Sequence, residues 1–323
     1  MKILLQIVFI SFCLMNGVAA TPNLKPYPVG ELGERWTLGS DHLPVGGTIG
    51  SLHFVLWNIL STDALHYIEE NGQGLKDSFI TAANLPSEGG LTVREAAILD
   101  QIFFMMEHPT HPRSLLALQE TSEEVYKALK ERLPPSFEML PAEVEDLKHG
   151  DVFIYDTKKF EFLDFKWAQY QDKQTKHGNT YMALSLRETT SGMTYRWIQS
   201  HVPGGPDLNS MPSRLELADF VIQEYDPNAI TVVLGDMNRG PELFMELFHN
   251  AALKQGLESN PFTALPSPYA SHVNTHREAS WIDNIFVFIP LEPLPQTHAE
   301  VNSHPDDFFP GLKETVDLLD SLR

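Results

Sequence analysis

Acidic and amide side chains follow one of the apolar runs of the sequence, and they are residues that could do chemistry. Asp236 and Asn238 lie two residues apart after the run 230–234. An aspartate can take a proton from water, and an asparagine can donate hydrogen bonds to an oxyanion or a phosphate oxygen. A turn in which both side chains bond their own backbone is an equally open interpretation.

A glutamate and an asparagine stand in the same setting after two other apolar runs. Glu120 follows 115–118 and Asn58 follows 54–57. A carboxylate at the end of a buried strand is costly unless it is paired, and Mg²⁺ prefers carboxylate, water and phosphate oxygens. The alternatives are a helix start for Glu120 and a turn for Asn58.

Two histidines and two aspartates complete the set. His201 ends an apolar run and precedes a loop of Pro and Gly, where an imidazole can bind phosphate or donate a proton. Asp283 interrupts an apolar run, and a buried carboxylate there needs a partner, such as a histidine. Asp41 and His42 stand together before another run. The alternatives are a solvated histidine at 201 and a loop before an edge strand at 41–42.

Apolar periodicity predicts the elements that position these groups. The predicted strands are 43–49, 52–56, 114–118, 152–155, 160–165, 181–186, 194–199, 230–234 and 281–289, and the predicted helices are 91–107, 122–133, 212–225 and 316–322. Gly50 and Ser51 join the first two strands as a compact hairpin. The four strands between 152 and 199 are expected to form a meander.

The chain has 323 residues, which is enough for one large domain or two small ones. No internal repeat or linker divides it, so we expect a single domain over 40–323. The Pro- and Gly-rich segment 21–39 is an irregular lead-in, and 290–323 is a tail that contains the last predicted helix.

Residues 1–20 have the pattern of a cleavable export signal. Lys2 gives a positive start, 3–15 is apolar, and small residues precede Thr21. An uncleaved anchor is the alternative, although the apolar run is short for a bilayer of ~30 Å. We therefore expect a periplasmic or secreted protein. Its one cysteine, Cys13, lies in this signal, which excludes a disulfide framework and a thiolate zinc cluster in the mature chain.

The charge balance limits the partners that the protein can bind. Lys and Arg number 23 against 43 Asp and Glu, for a formal net charge of −20. Such a surface repels phosphate backbones and anionic lipid, so nucleic acid is a possible but disfavoured partner. An acidic pocket could still hold a divalent cation. We expect a monomer without a transmembrane segment.

Together these groups resemble the motifs of the endonuclease/exonuclease/phosphatase family, the deoxyribonuclease I-like metal-dependent phosphoesterases. That family shows an Asn-ending first strand, Gln-Glu after the next core strand, a strand-end His, Gly-Asp-x-Asn, an Asp-x-Ile-Phe strand and a closing Ser-Asp-His. The similar segments here are Trp57-Asn58, Gln119-Glu120, His201, Gly235 to Asn238, Asp283 to Phe286 and Ser40 to His42. The resemblance covers about residues 40–289.

The resemblance implies a fold of class α/β (α+β), in which two mostly antiparallel β-sheets flanked by helices form a four-layer sandwich. It implies Mg²⁺ or Mn²⁺ at one edge of the sandwich, with Glu120 as the main ligand, assisted by Asn58 and Asp41.

The same resemblance implies the catalytic roles. Asp236 would orient or deprotonate the attacking water, and Asn238 and His201 would bind the phosphate oxygens. His42, buttressed by Asp283, would contact the phosphate or transfer a proton. The expected function is a secreted divalent-metal-dependent phosphoesterase that cleaves phosphodiester or phosphomonoester bonds. The alternative is an exported binding protein on the same scaffold without turnover.

The order of the motifs departs from the family. The Ser-Asp-His segment normally comes last, whereas Ser40 to His42 comes first here. We interpret this order as a circular permutation, in which the usual last strand runs through a short turn into the usual first strand. The alternative keeps the normal order and places His304 in the site. A smaller departure is Gln199, at a position where the family often has Asn.

The substrate is the open question. Family members act on DNA, RNA, sphingomyelin and inositol phosphates, and the sequence does not choose among them. Trp57, Trp197 and Tyr269 could stack on a base or belong to the core and its rim.

Overall fold

The computed structural model describes residues 40, 42, 44–62, 86–109, 111–142, 150–171, 179–204, 207–265, 272–273, 279–280, 282–290 and 299–300. In these residues the strands are β1 (Val45–Ile49), β2 (Leu52–Asn58), β3 (Leu115–Thr121), β4 (Phe137–Leu140), β5 (Gly150–Asp156), β6 (Phe160–Gln169), β7 (Thr180–Glu188), β8 (Thr194–Ser200), β9 (Ile230–Asp236), β10 (Thr263–Leu265), β11 (His272–Val273), β12 (Ala279–Ser280), β13 (Asp283–Phe288) and β14 (Ala299–Glu300). The α-helices are α1 (Val93–Glu107), α2 (Glu123–Arg132), α3 (Asp207–Gln223) and α4 (Pro241–Lys254), and Glu88–Gly90 is a short 3₁₀ turn.

The described strands form two six-stranded sheets. The first has the order β14-β1-β2-β3-β5-β4 and the second β10-β13-β9-β8-β7-β6, while β11 and β12 pair separately. The pairs β2–β3 and β8–β9 are parallel, and the other pairs in both sheets are antiparallel. The predicted hairpin is confirmed, because β1 and β2 pair from Val45 opposite Leu56 to Ile49 opposite Leu52.

The expected four-strand meander is wrong at its first strand. β6, β7 and β8 are antiparallel neighbours, but β5 lies in the other sheet between β3 and β4. Residues 150–155 of β5 are all buried, as befits a strand covered on both faces. Alternating or apolar patterns identify a strand but do not specify its neighbour, so the chain can change sheets at a turn such as the one between β5 and β6.

Three apolar clusters give the molecule its layers. The first lies between the two sheets and includes Phe54 of β2 and Trp197 of β8, whose ring centroids are 5.2 Å apart. The second joins the outer face of the first sheet to α1 and α2, and the third joins the second sheet to α3 and α4. Burial of this apolar surface stabilises a helix–sheet–sheet–helix sandwich, and the expected four-layer fold class is confirmed.

Several elements differ from the sequence prediction. α4 and the edge strand β4 were not predicted, and α3 begins at Asp207 rather than 212. Pro241 at the start of α4 is a helix-start signal. Trp57 and Trp197 are core residues, with at most 1% of their surface exposed. The signal 1–20, the lead-in 21–39, Tyr269, His304 and the predicted helix 316–322 lie outside the described residues.

No helix within the described ranges is long and apolar enough to cross a bilayer.

Candidate active site

The strand ends predicted to carry chemistry meet at one edge of the sandwich. Asn58 is the last residue of β2, His201 directly follows β8, and Asp236 is the last residue of β9. Parallel neighbours end at the same edge of a sheet. Because β2 is parallel to β3 and β8 is parallel to β9, the C-terminal ends of each pair lie side by side at this edge. Asp283 begins β13 and pairs directly with Asp236. It therefore stands at the start of a strand rather than inside one.

Glu120 occupies a bulge rather than a strand terminus. β3 continues to Thr121, and its pairing with β5 shifts register between Leu118 and Thr121. Glu120 has a φ of +54°, which is the left-handed region that a non-glycine residue rarely adopts. Bulges re-aim side chains next to active sites, and this bulge turns the carboxylate toward the neighbouring strand ends.

Asn58 joins the carboxylates of the two sheets. Its Nδ2 donates to Glu120 Oε1 at 2.8 Å and to Asp236 Oδ2 at 3.2 Å, while its Oδ1 accepts from Leu60 N at 3.0 Å. The amide nitrogen therefore faces the carboxylates and the amide oxygen faces the backbone. In this geometry Asn58 orients Glu120 and Asp236, and its role as a direct metal ligand stays a prediction.

His42 lies between two aspartates in the buried interior of the site. Its Nδ1 is 2.7 Å from Asp283 Oδ2, and its Nε2 is 3.5 Å from Asp236 Oδ2. The short contact makes Nδ1 the donor to Asp283, which leaves Nε2 directed at Asp236. The expected partnership of His42 and Asp283 is therefore present across 241 residues of sequence.

Hydrogen bonds to the end of β2 hold the segment that carries His42. Ser40 Oγ donates to Asn58 O at 2.6 Å and accepts from His42 N at 3.0 Å. Trp57 Nε1 donates to His42 O at 3.0 Å. This buried segment is thus part of the site. Asp41, expected as an accessory metal ligand, lies outside the described residues.

His201 faces the same carboxylates from the other side. Its Nε2 is 3.6 Å from Glu120 Oε1 and 3.8 Å from Asp236 Oδ2, and its side chain is 16% exposed. Burial lowers the pKa of His201, but the charges of Glu120, Asp236 and Asp151 outweigh burial and raise the pKa above its usual value. An imidazole with a raised pKa is suited to bind an anion or donate a proton.

Asn238 links the loops that follow β8 and β9. Its backbone N donates to Asp236 Oδ1 at 2.9 Å, and its Nδ2 donates to Val202 O at 2.8 Å. Its φ of +52° is tolerated by asparagine better than by most residues. In this arrangement Asn238 positions Asp236. Its expected contact with phosphate oxygens stays a prediction.

Two glutamines tie the sheets together beneath the site. Gln119 donates from Nε2 to Ser200 O at 2.5 Å and accepts from Asp236 N at 2.9 Å. Gln199 donates from Nε2 to Leu118 O at 2.5 Å. Gln199, which departs from the family motif, therefore has a structural role. Gly235 leaves room for this junction, because a Cβ there would lie 1.8 Å from Ser200 O.

Asp151 is a buried acid of the site that the sequence analysis missed. It accepts from Thr180 Oγ1 at 2.8 Å, and its Oδ1 has no hydrogen-bond partner among the described residues. Burial raises the pKa of Asp151 to about 7, although the charge of His201 and the Thr180 hydrogen bond oppose the shift. The only sequence signal is an aspartate at the start of an apolar run, and that pattern is also typical of a strand beginning in solvent.

The side-chain atoms that could act as metal ligands in this site fit a hard divalent cation. Glu120 Oε1 and Asp236 Oδ2 lie within 3.2 Å of the shared donor Asn58 Nδ2 and within 3.8 Å of His201 Nε2. Crowded carboxylates of this kind are costly without a cation, and oxygen ligands are those that Mg²⁺ and Mn²⁺ prefer. His42, Asp236 and Asp283 offer a second group, whose ligand atoms all lie within 4.8 Å of one another.

Comparison with known proteins gives matches among solved structures only. No protein-family model and no curated protein matches the chain. The endonuclease/exonuclease/phosphatase from Bacteroides vulgatus is 14% identical over 73% of this chain and 86% of that chain, with a TM-score of 0.48. A mannosyl-6-phosphatase of Bacteroides thetaiotaomicron is 15% identical over 73% and 85% of the two chains, with a TM-score of 0.47. ANGEL2, a 2′,3′-cyclic phosphatase, is 14% identical over 78% and 84%, with a TM-score of 0.48.

Proposed function

We propose that this protein is a divalent-metal-dependent phosphoesterase of the endonuclease/exonuclease/phosphatase family. One observation carries the proposal: Asp236 Oδ2 is approached by Asn58 Nδ2 at 3.2 Å, His42 Nε2 at 3.5 Å and His201 Nε2 at 3.8 Å. Acid, amide and two imidazoles from separate strands and segments thus surround one oxygen. A structural ion pair needs one partner, whereas hydrolysis needs a base, a proton donor and groups that bind the phosphate.

Glu120 would hold Mg²⁺ or Mn²⁺ in this site, with Asp236 close enough to share the ion or a bound water. A bound divalent ion polarises a phosphoryl oxygen and offsets the charge that develops on the leaving group. The carboxylates can then remain ionised side by side, because the cation offsets their mutual repulsion.

Asp236 is the group best placed to orient and deprotonate the attacking water. Asn238 holds its Oδ1 at 2.9 Å, which leaves Oδ2 facing the centre of the site. His201, whose pKa is raised, would donate to a phosphate oxygen. His42 receives its orientation from Asp283 and would contact the phosphate or move a proton through Nε2.

The same proposal includes a circularly permuted chain. The segment with Ser40 and His42 bonds to the end of β2, and β1 runs through a two-residue turn into β2. A family strand that normally follows the last motif would occupy this place.

We also propose that residues 1–20 direct export and that the mature chain is a monomer. Asp41 would be an accessory ligand, and the net charge of −20 favours small phosphate esters over long polyanions as substrates.

Hydrolysis of bis-p-nitrophenyl phosphate and p-nitrophenyl phosphate tests the proposed activity. The full mature chain should release p-nitrophenol with Mg²⁺ or Mn²⁺, and excess chelator should abolish the release. A panel of nucleotides, inositol phosphates, sugar phosphates, phospholipids and nucleic acids would then identify the substrate. Absence of hydrolysis with every divalent ion and every substrate would instead support a binding protein without turnover.

A further inference from the structure

The loop that follows β2 is held at every step by polar contacts. Ile59 N donates to Gln119 O at 3.0 Å and Leu60 N donates to Asn58 Oδ1 at 3.0 Å. Ser61 N then donates to Glu120 Oε2 at 3.3 Å. Leu60 has a φ of +55°, an unfavourable backbone conformation that persists only where its surroundings impose it. One oxygen of Glu120 therefore depends on the position of this loop.

The side chains that impose this conformation come from the first turn of α1. Arg94 Nη1 donates to Ile59 O at 3.1 Å, and Arg94 Nη2 donates to Thr62 Oγ1 at 3.2 Å. Thr62 Oγ1 in turn donates to Glu95 Oε1 at 2.5 Å. Arg94 is 1% exposed and Glu95 is 2% exposed. A buried cation and a buried anion thus meet on one threonine hydroxyl at the end of the loop.

Glu95 also reaches the segment that follows Glu120. Ser122, the N-cap of α2, donates from Oγ to Glu95 Oε1 at 3.1 Å. The second carboxylate oxygen of Glu95 accepts from Thr92 N at 2.9 Å. Burial raises the pKa of Glu95, but the hydrogen bonds from Thr62 and Thr92 and the charge of Arg94 outweigh burial, so the pKa lies below its usual value. Glu95 is therefore an ionised anchor between the two loops.

We propose that Arg94, Glu95 and Thr62 are positioning residues that set the metal affinity of the site by clamping the loops next to Asn58 and Glu120. The inference rests on the proposed function, because it assigns the ion to Glu120. Each clamped segment adjoins a strained residue: Leu60 lies within the loop after β2, and Glu120 lies in the bulge of β3, two residues before Ser122. Strain of this kind needs supporting contacts, and outer contacts of metal ligands commonly change affinity 10- to 100-fold.

Substitution of the threonine tests the clamp with the least disturbance. Thr62→Val keeps the shape of the side chain but removes the hydroxyl that joins Arg94 to Glu95. Thr62→Ser keeps the hydroxyl. The Kd for Mn²⁺, measured by isothermal titration calorimetry on the full mature chain, should rise about tenfold in Thr62→Val and stay within about twofold of wild type in Thr62→Ser.

A second variant and a control separate positioning from general destabilisation. Glu95→Gln should also weaken Mn²⁺ binding, whereas Ile102→Val, a buried change two turns further along α1, should lower the melting temperature without changing the Kd. In hydrolysis assays Thr62→Val should raise the Mn²⁺ concentration needed for half-maximal rate and leave the rate at saturating Mn²⁺ nearly unchanged.

The measurements distinguish failure of the clamp from failure of the proposed function. If wild type binds Mn²⁺ and folded Thr62→Val binds it equally well, the clamp is refuted and the phosphoesterase proposal stands. If wild type binds no divalent ion, the proposed function fails and the clamp fails with it. If Glu95→Gln does not fold, the comparison of Thr62→Val with Thr62→Ser decides alone.

Discussion

Asp236 is the residue on which the proposed chemistry depends most. Its two carboxylate oxygens have different neighbours: Oδ1 accepts from the backbone of Asn238, and Oδ2 faces Asn58, His42 and His201. Oδ1 therefore holds the side chain in position, and Oδ2 faces the centre of the site. This division is typical of a carboxylate that must keep its orientation while it handles a proton.

Removal of the Asp236 charge should abolish most of the turnover. Asp236→Asn keeps the size of the side chain and should lower kcat by about 10²- to 10⁴-fold, because it removes a group that acts on the attacking water. Steady-state hydrolysis of bis-p-nitrophenyl phosphate measures the loss, and circular dichroism checks the fold. A folded Asp236→Asn protein with near-normal turnover would contradict the assigned role.

Asp151 makes the stability of the metal-free protein depend on pH. Burial raises its pKa from 3.8 to about 7, so the folded state retains a proton that the unfolded state releases between these values. This residue's contribution to stability is therefore lost as pH rises from about 4 to 7. Asp151→Asn cannot ionise and keeps an acceptor for Thr180.

From pH 5 to pH 8 the unfolding free energy of Asp151→Asn should rise by about 2.5 kcal/mol relative to that of wild type. Urea unfolding at both pH values, in chelator, measures the difference. A difference between the two proteins that does not change with pH would show that Asp151 ionises normally in the folded state.

A strand end made several of the site residues conspicuous in the sequence, and the motifs around His42 and Asp283 indicated two more. Asn58, Glu120, His201 and Asp236 each follow an apolar run, and the structure brings all four together. Asp151 lies at the start of a strand, and Arg94 and Glu95 lie in an amphipathic helix where charged residues are ordinary. Their roles come from burial and from contacts across the chain, which no local pattern contains.

At the scale of elements, the junction between β3, β8 and β9 sets the distance between the sheets beneath the site. Gln119 bonds both Ser200 O and Asp236 N, and Gln199 returns a bond to Leu118 O. The strands were predictable because their apolar runs are short and bounded by turns. Their pairing, including the transfer of β5 to the first sheet, was not, because pairing depends on contacts distant in sequence.

Gly235 is the residue at which this junction has no spare room. Gly235→Ala should destabilise the protein by about 3 kcal/mol or more, because the added Cβ would lie 1.8 Å from Ser200 O and the backbone would have to move. Thermal and urea unfolding measure the loss. As a control, Gly192→Ala in an open turn, with nothing within 4 Å of its Cβ, should cost less despite its φ of +71°. Equal costs for the two variants would mean that the β8–β9 contact can relax.

At the scale of the whole molecule, the site joins segments from nearly the full described chain. His42 and Asp283 are 241 residues apart and form a contact of 2.7 Å. The motifs predicted that these residues belong together, but only the folded structure gives the contact.

A double-mutant cycle measures whether the early segment and β13 meet in solution. His42→Ala and Asp283→Ala should each destabilise the metal-free protein by about 3 kcal/mol, since each removes the buried partner that the other side chain contacts at 2.7 Å. The double variant should cost little more than either single one, which gives a coupling of about 2–3 kcal/mol. Additive losses would place the two side chains apart.

The proposed function requires a divalent cation among the carboxylates that the strand ends bring together. A crystal of the mature protein soaked in Mn²⁺ and measured at the manganese absorption edge tests it directly. We predict an anomalous peak about 2.0–2.3 Å from a carboxylate oxygen of Glu120, with Asp236 and His42 lining the same cleft. A protein that binds Mn²⁺ in solution but shows its peak away from Glu120, or a structure with His42 on a remote face, would contradict the proposed metal site.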